Sequence, residues 1–213
     1  MRATARLSRY LALCFGLGLV TLASGCNMTR QLQMPVLAHA EVATDFDTYA
    51  LRRVGLMPVA GLESNRALAQ SFRQALQAEL SRSAPYELVI LTDAQLEAVE
   101  DSEPHLKGAY RPRTILALTQ RYNLGGLLFP TITQQRDYPP QELGIVLDLV
   151  AAETGLAVWS GRLQIDANDP AVVMGLKVYY GVGSKEAPHP WELALLSPER
   201  FSRFAAYQLA LLL

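Results

Sequence analysis

Three extended apolar segments follow one another in the second half of the chain, and they are the strongest constraint on its fold. They cover residues 126–137, 143–152 and 156–165, and only the short turn sequences at 139–141 and 153–155 separate them. Turns this short join antiparallel neighbours. The pattern therefore predicts a three-stranded β-meander.

The chain ahead of the meander alternates strand and helix signals. Runs at Arg53–Val59 and Tyr86–Leu91 predict buried strands, and between them the apolar residues have the three- and four-residue spacing of a helix. Thr92 and Gln95 form a capping-box pattern at the next helix start. Three further helices are predicted to begin at Pro112, Pro170 and Pro198. We therefore predict one α/β domain with a mixed parallel and antiparallel sheet and flanking helices, in which a βαβ unit precedes the β-meander.

Residues 1–25 predict a lipoprotein signal peptide. Arginines precede an apolar stretch, Leu11–Leu22, that is too short to span a bilayer comfortably. Ala23, Ser24 and Gly25 then lead to Cys26, which resembles the lipobox of bacterial lipoproteins, where the cysteine is acylated and becomes the mature N-terminus. Leu22 departs from that pattern, because the family prefers leucine one position later. The alternatives are an ordinary secretory peptide or a short N-terminal anchor helix, with Cys26 uninvolved.

Two further regions follow the signal peptide. Residues 26–50 lack a clean period and predict a lipidated N-terminus and tether, whereas residues 51–213 predict the periplasmic α/β domain. A tether of about 20 residues reaches roughly 70 Å when fully extended. The resemblance to lipoproteins of two-membrane bacteria implies that Asn27, which is not an aspartate, permits sorting to the outer membrane.

Charge and histidine spacing exclude several function classes. The chain carries 19 Lys+Arg against 20 Asp+Glu, so it lacks the strongly basic character of a nucleic-acid-binding domain. None of the histidines has the spacing of a zinc pair. These are His39, His105 and His189. We therefore expect no metal, no cofactor and no nucleic-acid partner.

The catalytic motifs are also absent. Ser160 lies inside a predicted strand, without the exposed elbow that a serine nucleophile needs. Asp148, on the neighbouring strand, is expected to pair across the strands with Arg162. We therefore expect a protein that is not an enzyme.

Residues 148–161 combine a strand, a Glu-Thr-Gly turn and a strand that carries Trp159. This arrangement resembles the hairpin of the curli-secretion lipoprotein (CsgG-like) superfamily and of the related lipoprotein activators of penicillin-binding proteins. Val54–Ala60 and Asn123–Phe129 are similar to the same family. The resemblance implies a non-enzymatic outer-membrane lipoprotein that binds another envelope protein in an assembly or regulatory role.

The departures from that family limit the role. Its pore-forming members add long amphipathic hairpins, and each membrane-crossing strand needs about 9–11 residues. The chain has no unassigned room for four such strands, so we expect an anchored domain and not a channel. Two alternatives are another secreted α/β domain with a Thr-Gly hairpin, and a small envelope hydrolase or ligand-binding lipoprotein. A homo-oligomer is left open.

The segment Gly181–Leu196, between the last two long helices, is the predicted partner-binding surface. Its candidate residues are Trp191, His189 and the adjoining Tyr180. Long loops often carry function, and tryptophan is enriched at interface hot spots. In that case Trp191→Ala should change stability by less than about 1 kcal/mol. The alternative is that Trp191 and its neighbouring leucines pack the segment onto the core.

The lipobox interpretation predicts that Cys26→Ser releases the protein from the membrane fraction, because acyl chains are its expected anchor. Fractionation of cells that express the wild-type and variant chains measures this directly. Continued membrane association of the variant, after its signal peptide has been cleaved, would contradict the interpretation.

Overall fold

The computed structural model describes residues 33–62, 65–99, 111–182 and 189–213, all within the compact unit Gln33–Leu213. Cys26 and His105 lie outside the described residues. The strands are β1 (His39–Val42), β2 (Arg53–Leu56), β3 (Glu87–Ile90), β4 (Gly126–Arg136), β5 (Glu142–Ala151) and β6 (Ala157–Asp166). The helices are α1 (Arg66–Ser83), α2 (Asp93–Glu97), α3 (Pro112–Tyr122), α4 (Pro170–Tyr180), α5 (Pro190–Ala194) and α6 (Pro198–Ala210), with a 3₁₀ turn at Phe46–Thr48.

The strands form one six-stranded mixed sheet in the order β1-β6-β5-β4-β2-β3. β2 pairs in parallel with both β3 and β4, because α1 and the α2–α3 region return the chain between them. The β4-β5, β5-β6 and β1-β6 pairs are antiparallel. The predicted α/β fold, with a βαβ unit followed by a β-meander, is confirmed.

The domain begins earlier than the predicted boundary at residue 51. β1 pairs with β6, with His39 opposite Arg162. The Leu37 backbone N–H donates to Gln208 Oε1 at 2.9 Å, and Gln208 Nε2 donates to the Pro35 carbonyl at 3.1 Å. Residues 33–50, which the sequence assigned to a tether, are therefore part of the domain. Some of them pair with the edge of β6, and others bond to the buried Gln208 amide of α6.

Local signals set the helix boundaries. Asn65 caps α1 by accepting from the Leu68 N–H at 3.1 Å. Thr92 and Gln95 form the predicted capping box. Asn123 ends α3 in the left-handed region with a φ of 52°, a conformation that asparagine tolerates better than most residues.

The principal core lies on one face of the sheet, where α1, α4 and α6 pack. The alternation of β5 and β6 directs Leu147, Leu149 and Trp159 to this face. Trp159 is only 3% exposed, and its ring covers Gly161 so closely that a Cβ there would lie 2.5 Å from Trp159 Cη2. Trp159 is therefore a packing residue of the principal core.

A smaller core lies on the other face, where α2 and α3 pack against the half of the sheet that contains β2, β3 and β4. Ile115 and Leu118 of α3 meet Leu127 and Phe129 of β4 there. The β6 part of the same face is polar, and Arg162 and Gln164 are exposed on it. The two faces therefore differ in how far helices cover them.

Within the described ranges, no helix has both the length and the apolar character that a membrane span requires.

Asp148, on this second face, is hydrogen-bonded across the strands to Ser160. Ser160 lies directly opposite it in the register and donates its hydroxyl hydrogen to Asp148 Oδ1 at 2.6 Å. Arg162 lies opposite Val146 and forms a 3.3 Å ion pair with Glu41 of β1. Arg162 is the diagonal neighbour of Asp148 on the same face, and the pair expected between them stays a prediction.

We expect Trp159→Ala to lower the free energy of unfolding by about 3–5 kcal/mol, because it leaves a large cavity against Gly161 and the helices. Urea unfolding of the wild-type and variant chains measures the change. Leu156→Ala, at a residue that is 64% exposed in the neighbouring turn, is the control and should change stability by less than about 0.5 kcal/mol. Equal effects of the two variants would contradict the assignment.

Candidate partner-binding surface

The three predicted binding residues lie at the junction of α4 and α5. Tyr180 is the last residue of α4, His189 immediately precedes α5, and Trp191 is its second residue. Part of the predicted Gly181–Leu196 segment, residues 183–188, lies outside the described residues. The observations below therefore concern the two helices and their ends.

Trp191 has two kinds of neighbour. It is partly buried and packs against the principal core. Lys177 Nζ of α4 lies 4.6 Å from the centroid of its ring, which is within the range of a cation–π contact. The ring therefore contributes both to packing and to the local surface, and its role in partner binding stays a prediction.

His189 closes the described part of the loop. Its Nδ1 lies 2.6 Å from the carbonyl oxygen of Val182. A carbonyl only accepts, so Nδ1 carries the hydrogen and Nε2 is left as the other ring nitrogen. The imidazole also lies 6.4 Å from the Trp191 ring, centroid to centroid. His189, at the start of α5, therefore binds to Val182, just after the end of α4.

Tyr180 connects α4 to α6. Its hydroxyl donates to the backbone carbonyl of Arg200 at 2.7 Å, and the Arg200 guanidinium carbon lies 5.9 Å from its ring centroid. Burial raises the pKa of Tyr180, so the hydroxyl keeps the hydrogen that it donates. The hydrogen of this hydroxyl is therefore used within the fold, and a partner can contact the ring or donate to the hydroxyl oxygen.

Exposed apolar side chains accompany these residues. Ten large hydrophobic residues of the described chain are exposed, and four of them belong to α4, α5 or the residues that follow these helices. We define the α4–α5 surface as Met174, Lys177, Tyr180, Val182, His189, Trp191, Leu193 and Leu196. Leu196 is the most exposed of the four apolar residues, at 66%. Sequence analysis missed Met174 and Lys177, although their three-residue spacing from each other and from Tyr180 placed them on one side of the same helix.

A second location bears on the alternative of a hydrolase or ligand-binding protein. A recess of about 440 Å³ lies beside β1 and β6, and Glu41, Asp148, Ser160 and Arg162 contribute to its lining. The single hydrogen of the Ser160 hydroxyl is directed to the Asp148 carboxylate, and Arg162 is directed to Glu41. One pair connects β6 to β5 and the other connects β6 to β1. The serine donates to a carboxylate and not to an imidazole, the usual base beside a serine nucleophile.

Among the residues that the structure describes, no group of three or more His, Cys, Asp or Glu side chains is arranged to hold a metal ion.

Comparison with known proteins gives structural likeness only. No family model and no curated protein matches the chain. Among solved structures it is similar to the PelC dodecamer from Paraburkholderia phytofirmans, with a TM-score of 0.42 and 10% identity over 78% of this chain and 95% of that one. It is similar to lipoprotein GNA1162 from Neisseria meningitidis, with a TM-score of 0.42 and 20% identity over 60% and 91%. For the LpoB C-terminal domain from Salmonella enterica, the TM-score is 0.38 and the identity 15%, over 55% and 84%.

These values assign the chain to no family. The CsgG-like resemblance of the sequence stays a prediction.

We expect Trp191→Ala to lower the free energy of unfolding by about 2 kcal/mol, because it removes core packing together with the contact to Lys177. This exceeds the limit of about 1 kcal/mol that a purely surface role allows. Lys177→Met is the control: it removes only the cation and should cost about 0.5–1 kcal/mol. Chemical denaturation measures both, and a cost near zero for Trp191→Ala would contradict the packing role.

Proposed function

We propose that this chain is a non-enzymatic lipoprotein of the bacterial cell envelope, held by acylated Cys26 and facing the periplasm at the outer membrane. In this proposal it binds another envelope protein through the α4–α5 surface, in an assembly or regulatory role. The observation that carries the anchor is the lipobox-like sequence Ala23-Ser24-Gly25-Cys26. Several acyl chains, at about 0.8 kcal/mol per buried CH₂, make such an anchor effectively permanent.

The early start of the domain supports a position close to the membrane. Only six residues, 27–32, separate Cys26 from Gln33, and the chain from one to the other spans at most about 25 Å. The longer tether expected from sequence would allow roughly 70 Å. A short connection favours a partner that is itself in, or next to, the same membrane.

The composition of the α4–α5 surface supports a protein partner. Interface hot spots are enriched in tryptophan and tyrosine, and apolar side chains around them exclude water. Trp191 and Tyr180 supply the aromatic rings, and Leu193 and Leu196 supply exposed apolar contacts. Because the two rings are held by Lys177 and Arg200 in the free protein, little conformational entropy is lost when a partner binds.

A site-specific photocrosslinker tests the binding surface. Incorporated in place of Leu196, it should give a defined adduct with one envelope protein when native envelopes are irradiated. Leu116 is the matched control, because this α3 leucine is 51% exposed on the opposite face of the sheet. The same label there should give no such adduct.

Two outcomes would contradict the proposal. Identical adducts from both positions would show that contact is not specific to the α4–α5 surface, and no adduct from Leu196 would remove the support for it. The hydrolase alternative makes a different prediction, since it requires Ser160→Ala to abolish the cellular role while leaving the Leu196 adduct intact.

A further inference from the structure

A polar pocket of about 310 Å³ lies outside the α4–α5 surface, where α1, the end of α4 and α6 meet. The α1 residues that line it recur at three- and four-residue spacing, so they form one stripe along the helix. Two of them, Ala75 and Ala78, are small and leave space above the helix. The polar lining residues are Ser71, Gln74, Glu79, Arg82, Tyr179 and Arg203.

A buried carboxylate organises this pocket. Glu79 is only 7% exposed, and both of its oxygens accept hydrogen bonds. Oε1 accepts from the Tyr179 hydroxyl at 3.0 Å, and Oε2 accepts from Arg82 Nη1 at 3.2 Å. Burial and the nearby Glu79 charge raise the pKa of Tyr179, so this donor keeps its proton. The carboxylate thus fixes Arg82 and Tyr179 and has no oxygen left without a donor.

The remaining hydrogen-bonding capacity of the pocket is mainly that of donors. Arg82 uses one of its five N–H groups on Glu79, and the rest of its guanidinium is exposed. Arg203 of α6 is exposed and makes no ion pair with any residue of the described ranges. Two guanidinium groups against one carboxylate give the pocket a net positive charge. Gln74 and Ser71 add an amide and a hydroxyl at the same wall.

We propose that this pocket binds a doubly charged oxyanion, the phosphate of a small phosphomonoester, through Arg203 and Arg82. Guanidinium groups match the oxygens of a phosphate bidentately, and with Arg82 paired to Glu79 the two arginines leave the pocket a net charge of about +1 that attracts the anion. The pocket volume of about 310 Å³ accommodates a phosphate with a short polar substituent. The inference stands independently of the proposed function.

Calorimetric titration of the full chain in detergent with inorganic phosphate, at constant ionic strength against chloride, tests the proposal. We expect saturable binding that Arg203→Gln weakens at least tenfold and that Arg82→Gln weakens as well. Arg113→Gln is the matched control, because Arg113 is an exposed arginine of α3 outside the pocket, and it should change the affinity by less than twofold. Melting curves establish that each variant is folded.

The absence of saturable phosphate binding, or an equal loss in Arg113→Gln, would overturn the proposal. A second arm separates a soluble ligand from a lipid headgroup, because phospholipids also carry phosphate. Phosphatidylglycerol vesicles should bind the Cys26→Ser chain to the same extent with and without Arg203→Gln. Vesicle binding that depends on Arg203 would overturn the assignment to a soluble phosphomonoester.

Discussion

The pairing of β5 on both of its sides is the constraint on which the rest of the fold depends. β4 and β6 cover it along its length, so its backbone groups are satisfied and all but its first residue are buried. Its alternating side chains supply both cores: Leu147 and Leu149 face α6, while Val150 faces the smaller core. A shift of one residue in register would exchange these faces and expose the leucines. The helices therefore have fixed docking positions only because this strand is fixed.

Much of the fold could be predicted because its signals are local. The turns at 139–141 and 153–155, the Thr92–Gln95 capping box and the prolines that open α3, α4 and α6 all act over a few residues. β1 carries no such signal. Its four residues become a strand because β6, more than a hundred residues later, offers a free edge. The bond from Ser160 to Asp148 was not foreseen for a related reason: the residue opposite Asp148 depends on register, which hairpin composition alone does not determine.

The candidate sites divide in the same way between local signals, which the sequence shows, and contacts between distant residues, which it does not. The sequence selected Trp191, His189 and Tyr180 as candidate binding residues. It did not show that Lys177 lies over the indole or that Tyr180 is hydrogen-bonded to Arg200. The pocket around Glu79 was not foreseen, since Ser71, Tyr179 and Arg203 come from three helices distant in sequence. Glu79 itself reads in the sequence as an ordinary surface residue of an amphipathic helix. Only the packing of α1 against α6 places its carboxylate beneath other side chains.

The two edge strands of the sheet, β1 and β3, have only four residues each, as does the interior strand β2 beside β3. The three long strands, of 11, 10 and 10 residues, are all interior. Long, flat edges invite pairing between molecules, and short edge strands restrict it. β1 covers β6 at residues 159–162, and it belongs to the segment nearest the predicted anchor. Proteolytic loss of that segment would convert β6 from a protected strand into a template for aggregation.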